Sequence, residues 1–218
     1  AVGPNTGSGA ALSISTGKLS PDVTTLLAIN DRVTVVAPDD AGGWYIGGNF
    51  TKVGTTTRNR LARLNADGTL HHWDPNAASE VKAIAVNGST VYVGGTFGTI
   101  GGQSRTSVAA LNDDGGVLSW SPNLTGNVNA LAGKDGRIYV GGSFTWVNGQ
   151  QRNYLAALDT GGTLLPWNPS ANWDVKALSM HDGVVYVGGM FWTIDGGTRN
   201  YLAAIDADGG LLPWNPNA

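Results

Sequence analysis

One stretch recurs through the chain: Trp44-Tyr45-Ile46-Gly47-Gly48-Asn49-Phe50, Val91-Tyr92-Val93-Gly94-Gly95-Thr96-Phe97, Ile138-Tyr139-Val140-Gly141-Gly142-Ser143-Phe144 and Val185-Tyr186-Val187-Gly188-Gly189-Met190-Phe191. The second glycines stand at 48, 95, 142 and 189, in steps of 47 residues. Arg58, Arg105, Arg152 and Arg199 keep that step, and so do Trp73, Trp120, Trp167 and Trp214. A period of this length means units that stack or radiate around an axis, each too small to bury its own core.

Within one period the pattern is that of strands. Val81-Lys82-Ala83-Ile84-Ala85-Val86 alternates at period two. Asn87-Gly88 is a hairpin turn signal, because both residues tolerate positive φ. Val91 to Gly94 reads as a second strand. The doubled glycine has no side chains to pack and marks a bend or a close backbone approach. A loop of about ten residues ends at Arg105, Val108-Ala109-Ala110-Leu111 forms a third strand, Asp113-Asp114-Gly115-Gly116 turns, and Val117-Leu118-Ser119-Trp120 forms a fourth, stopped by Pro122. Four short antiparallel strands per repeat, with no amphipathic helical stretch, predict an all-β fold, a β-propeller of four-stranded blades. A flat solenoid is the alternative, but its coils are shorter and seldom spend four hairpin-linked strands on one unit.

Residues 10–22 resemble the back half of a repeat, so the chain divides into 1–22 (tail and half-blade), 23–78, 79–125, 126–172 and 173–218, all within one domain. The half-repeat at the start supplies third and fourth strands. Closure by strand sharing would then need first and second strands at the other end, where Asn217-Ala218 instead follows a complete fourth strand. A longer natural chain, or head-to-tail assembly through open edges, is therefore expected.

Composition narrows the function. The net charge is −3 with no basic run, so nucleic acid has no electrostatic footprint to meet. No apolar run nears the roughly 20 residues that span a bilayer. The absence of cysteine excludes disulfides, thiol chemistry and cysteine-bound metals. The chain opens without a charged-then-apolar leader, so any leader has been removed or lies outside this sequence.

The run Val-Tyr-Val-Gly-Gly-x-Phe-x-x-Ile-Gly-Gly-x-x-Arg at Val91–Arg105, Leu155-Ala156-Ala157-Leu158, and Pro166-Trp167-Asn168-Pro169 together resemble the bacterial delta-sixty propeller repeat. The paired glycines with a later Trp also resemble kelch repeats. The resemblance spans nearly all of the chain beyond residue 24. It implies a propeller in secreted or surface-attached bacterial proteins, and no catalytic motif.

Residues present in every repeat read as packing residues. The Phe at 50, 97, 144 and 191 and the four repeated Trp fill gaps between units. The four Arg bond loop carbonyls or acids near Asp159 and Asp206. Departures from the repeat carry more information about function. Trp146 replaces Lys52, Thr99 and Thr193. Trp192 replaces Thr51, Gly98 and Thr145. Trp173 stands where other repeats have Ser79 and Gly126, and Tyr154 and Tyr201 replace Arg60 and Ser107. In an antiparallel four-strand unit these positions fall at one end, on one pair of neighbouring units, with Asp174 and Asp195 beside them. Flat rings with adjacent carboxylates suit a sugar or a protein surface.

The expectation is a non-catalytic, secreted or cell-surface binding or adhesion module, with a glycan or surface protein as ligand, no metal and no cofactor. Structural assembly is the alternative, and a glycan hydrolase using Asp174 and Asp195 ranks below it. Asp113-Asp114 and Asp206-Ala207-Asp208 are explained by turns before calcium. His71 and His72, if on a strand, point to opposite faces.

Overall fold

The computed structural model describes residues 27–216, and among these there is no helix. The expected half-repeat at 10–22 lies outside the described residues. Twenty strands among the described residues form four equivalent groups. The first holds β1 (Val33–Pro38), β2 (Trp44–Gly48), β3 (Lys52–Val53), β4 (Thr56–Thr57) and β5 (Leu61–Leu64). The second holds β6 (Val81–Asn87), β7 (Thr90–Gly95), β8 (Thr99–Ile100), β9 (Gln103–Ser104) and β10 (Val108–Leu111). The third holds β11 (Val128–Lys134), β12 (Arg137–Gly142), β13 (Trp146–Val147), β14 (Gln150–Gln151) and β15 (Leu155–Asp159). The fourth holds β16 (Val175–His181), β17 (Val184–Gly189), β18 (Thr193–Ile194), β19 (Gly197–Thr198) and β20 (Leu202–Ile205).

Each group makes one antiparallel sheet of three strands, with the Gly-Gly strand in the centre, plus a separate hairpin of two two-residue strands. This differs from the sequence reading in two ways. The loop between second and third strands is itself a hairpin, and it bridges the incoming linker, as Ile100 does to Ala77. The fourth strand is reduced to a single bridge, such as Leu111 to Val117. The arginines account for the reduction. Leu118 donates its N–H to Ala110 O, but its own carbonyl accepts Arg105 Nη2 at 2.8 Å. Arg152 and Arg199 do the same to Leu165 O and Leu212 O, and Arg58 to His71 O. With a guanidinium on that carbonyl where the next ladder donor would stand, each Arg staples its hairpin to the fourth segment. Loop carbonyls are the partners found, as one of the two expectations had it; among the described residues the acid beside an Arg of this set is Asp74, 3.4 Å from Arg58, and not one of the positions near Asp159 and Asp206. Residues 71 and 72 are consequently not in a strand, and the two imidazoles lie together, ring centres 4.1 Å apart, rather than on opposite faces.

The core lies between neighbouring sheets. Ala85, Tyr92, Ala110 and Trp120 of the second sheet pack on Val128, Leu131, Val140 and Ala156 of the third, and the other junctions repeat this. Trp73, Trp120 and Trp167 are buried, each edge-on to the tyrosine of its own sheet with ring centres 5.0 Å apart. Each donates Nε1–H to a turn carbonyl of the next sheet: Asn112, Asp159 and Asp206. The repeated Phe is buried in all four units.

The first sheet's longer hairpin is held by Asp39. Its Oδ1 accepts the N–H groups of Ala41 (3.0 Å) and Gly43 (2.6 Å), and its Oδ2 accepts Arg63 Nε at 2.8 Å. The Arg63 guanidinium also lies 5.2 Å over the Tyr45 ring. Burial pushes the Asp39 carboxyl up, but these donors outweigh it and hold it below the usual carboxylate value. A group whose folded pKa is depressed stabilises above its unfolded pKa and loses that contribution as pH falls through the folded one. Asp39→Ala is expected to lower unfolding stability by about 2 kcal/mol at neutral pH. In urea titrations the gap from wild type should close below pH ~4.

Candidate functional site

Strand polarity sets which residues share an end. Every first strand starts opposite the end of its central strand, as Val81 pairs with Gly95 and Val175 with Gly189. The small hairpins follow that same point. Trp146 on β13, Trp192 just before β18 and Trp173 just before β16 thus lie at one end of the molecule.

Trp173 and Trp192 meet. Their rings are stacked, with centres 6.0 Å apart and planes 26° apart, and they remain 47% and 53% exposed. Asn172 fixes the pair: its Oδ1 accepts the N–H of Trp192 (3.0 Å) and Thr193 (3.1 Å), and its own N–H donates to Thr193 O. Asn30 and Thr125 hold the matching hairpins of the first and third groups in this way. The second group has Ala78 at that position. Only the fourth group sets indoles on either side of the clamp.

The other sequence candidates are less tightly gathered. Trp146 is exposed at the same end, one group away, with no ring contact to the stacked pair. Tyr154 is half-buried against the junction of third and fourth sheets. Tyr201 is exposed, and its N–H donates to Phe191 O, next to Trp192. Both tyrosines occupy a position with φ near +65°, which Arg60 and Ser107 share in the other repeats. Asp174 accepts Lys176 Nζ at 2.7 Å. Asp195 takes the left-handed corner of a hairpin, φ 48°, as Asn148 does one repeat earlier. Asp174 and Asp195 share no hydrogen-bond partner among the described residues. No group of three His, Asp or Glu able to hold a metal occurs among the described residues.

Sequence reading missed a second feature of this end. The first strands of consecutive sheets pack side by side, and those of the first and fourth make no comparable contact. They surround an open cavity of about 580 Å³ lined by Arg32, Thr34, Glu80, Lys82, Asn129 and Lys176, with Val33. Every first strand carries a β-bulge at its second residue, where the register shifts between Val33 and Val35, Val81 and Ala83, Val128 and Ala130, and Val175 and Ala177. The bulged residues are Thr34, Lys82, Asn129 and Lys176, the four that reach the axis. A bulge re-aims its side chain. The sequence signal was a polar residue after the first valine of each repeat.

Comparison with known proteins gives the fold. No curated protein matches the chain. A computationally designed protein, Ika4, aligns at 19% identity with TM-score 0.52, over 84% of this chain and 98% of that one. The WD40 domain of Neurospora crassa Pan2 aligns at 12% identity with TM-score 0.55, over 84% of this chain and 52% of that one. An extracellular domain from B. thetaiotaomicron, assigned to a hybrid two component system, aligns at 17% with TM-score 0.52, over 83% of this chain and 22% of that one. Residues 42–70, 133–164 and 181–211 match the family model of a β-propeller domain of unknown function, DUF5122. With four like antiparallel sheets among the described residues, their first strands lining one cavity, the chain is a β-propeller domain.

Proposed function

We propose that this domain is a non-catalytic extracellular or cell-surface binding module for carbohydrate, with Trp173 and Trp192 as the platform and Trp146 and Tyr201 flanking it. The observation that carries the reading is the stacked, half-exposed indole pair at positions where the other repeats have small or polar residues. Two large apolar faces left to water beside a rigid scaffold are the usual form of a recognition surface. The delta-sixty resemblance and the extracellular structural neighbour support a surface location. No helix among the described residues is long and apolar enough to cross a membrane. In a glycan array followed by calorimetry, Trp173→Ala and Trp192→Ala should each weaken the recognised glycan about tenfold or more. They should cost less than about 1 kcal/mol of stability, since neither ring is core. Unchanged affinity with a falling melting temperature would make the rings packing residues.

A second reading, head-to-tail assembly, is favoured by the outer face of the fourth sheet. Trp214 is 44% exposed, against 0%, 4% and 3% for Trp73, Trp120 and Trp167, and no acceptor for its indole N–H is found among the described residues. Light scattering across a concentration series should show mass rising in wild type and not in Trp214→Ala. A constant monomer mass in wild type removes this reading.

A further inference from the structure

We propose that the axial cavity is an anion subsite at the same end of the domain as the indole pair, so that the ligand is an acidic glycan whose carboxylate or sulfate enters the ring of bulge residues. This rests on the carbohydrate reading above. The cavity wall carries three cations, Arg32, Lys82 and Lys176, and the carboxylates that meet them are two, Glu80 and Asp174. Glu80 is already taken: its Oε1 accepts Arg32 Nη2 at 2.6 Å, with Thr34 Oγ1 at 3.4 Å. Its Oε2 stands 3.9 Å from Lys82 Nζ, beyond hydrogen-bond length, so the ammonium keeps its N–H groups for another acceptor. Asn129 donates Nδ2–H to Val175 O at 3.0 Å, which orients its amide between the two lysines' strands. A local excess of positive charge runs against the chain's net −3, and a concave wall concentrates its field.

The bulges supply the geometry. Regular pairing would alternate these side chains with the packed Val128 and Val175 on the sheet faces; the extra residue turns Thr34, Lys82, Asn129 and Lys176 toward the axis instead. Trp173 precedes Lys176 by three residues, about 10 Å of extended chain, within reach of one oligosaccharide. Asp174 between them pairs with Lys176, so an acid group on the ligand competes with it for that ammonium.

The test uses the full chain with four probes: heparin and chondroitin sulfate, polygalacturonate as a carboxylate-only polymer, and dextran as a neutral one. Affinity is read by calorimetry and affinity electrophoresis at low and high salt. At least one acidic polymer is expected to bind tenfold or more tighter than dextran, and the margin should shrink at high salt. Lys82→Gln with Lys176→Gln should erase that margin and flatten the salt dependence, with the melting temperature retained. Preference for polygalacturonate identifies the carboxylate as the acid, and preference for the sulfated pair identifies sulfate. Equal binding of acidic and neutral polymers, absence of acidic binding, or an intact margin in the double variant would overturn the proposal. The two readings separate. If the lysine variant loses binding while Trp173→Ala and Trp192→Ala do not, the axial subsite stands and the indole platform fails; the reverse pattern overturns the subsite alone.

Discussion

Trp120→Ala should destabilise the protein by about 4 kcal/mol, while Trp214→Ala should cost no more than about 1. The two residues hold one position in the repeat and differ in what covers them. Trp120 is buried, stands edge-on to Tyr92, and donates Nε1–H to Asp159 O at 3.1 Å across the junction with the third sheet. Its removal opens a cavity between two sheets and leaves that junction without its cross-bond. Trp214 keeps the ring contact, with Tyr186 at 5.5 Å, but lacks the burial and has no indole acceptor among the described residues. For a chain of this size the first change should lower the melting temperature by about 10 °C and the second by a few degrees at most. Equal losses would show that the indole works within its own sheet, not between sheets.

Gly95→Ala is expected to cost about 3 kcal/mol or more, and Gly188→Ala less than about 0.5. A Cβ on Gly95 would lie 2.0 Å from Glu80 O, a backbone atom that accepts the Thr96 N–H and cannot move without breaking the strand pair. Gly48, Gly142 and Gly189 meet the same obstacle at 2.1, 2.0 and 2.3 Å. The first glycine of each pair does a different job. Gly47, Gly94 and Gly141 receive a valine of the next sheet, Val81, Val128 and Val175, within 2.3–2.7 Å of where a Cβ would be. At Gly188 the nearest atom to such a Cβ is Leu202 Cδ2 at 3.5 Å, an ordinary contact. Denaturant melts of both alanine variants check this. A large loss at Gly188 would mean that something occupies that socket in solution.

Much of this was legible in the residues. The 47-residue step, the period-two alternation and the turn dipeptides impose an all-β repeat, because each is a local property of backbone and side chain. The recurring Phe and the Trp at 73, 120 and 167 declared themselves as packing residues by recurring, though Trp214 recurs and is exposed, and the paired glycines as a close approach by lacking side chains. Where a hydrogen-bond donor reaches across thirteen residues, as Arg105 does to Leu118, local pattern failed: Val117 to Trp120 looks like a strand, but its acceptor is spent on a guanidinium. The aromatic site was half visible. Five rings break the repeat, and strand parity sends them to one end; only side-chain geometry stacks Trp173 on Trp192, leaves Trp146 apart and tucks Tyr154 into a junction. The axial ring was hidden for a further reason. Thr34, Lys82, Asn129 and Lys176 differ in chemistry, and what unites them is a register shift between two strands. A bulge is a property of pairing, so it exists only once the partner strand is in place, and with it the direction in which those four side chains point.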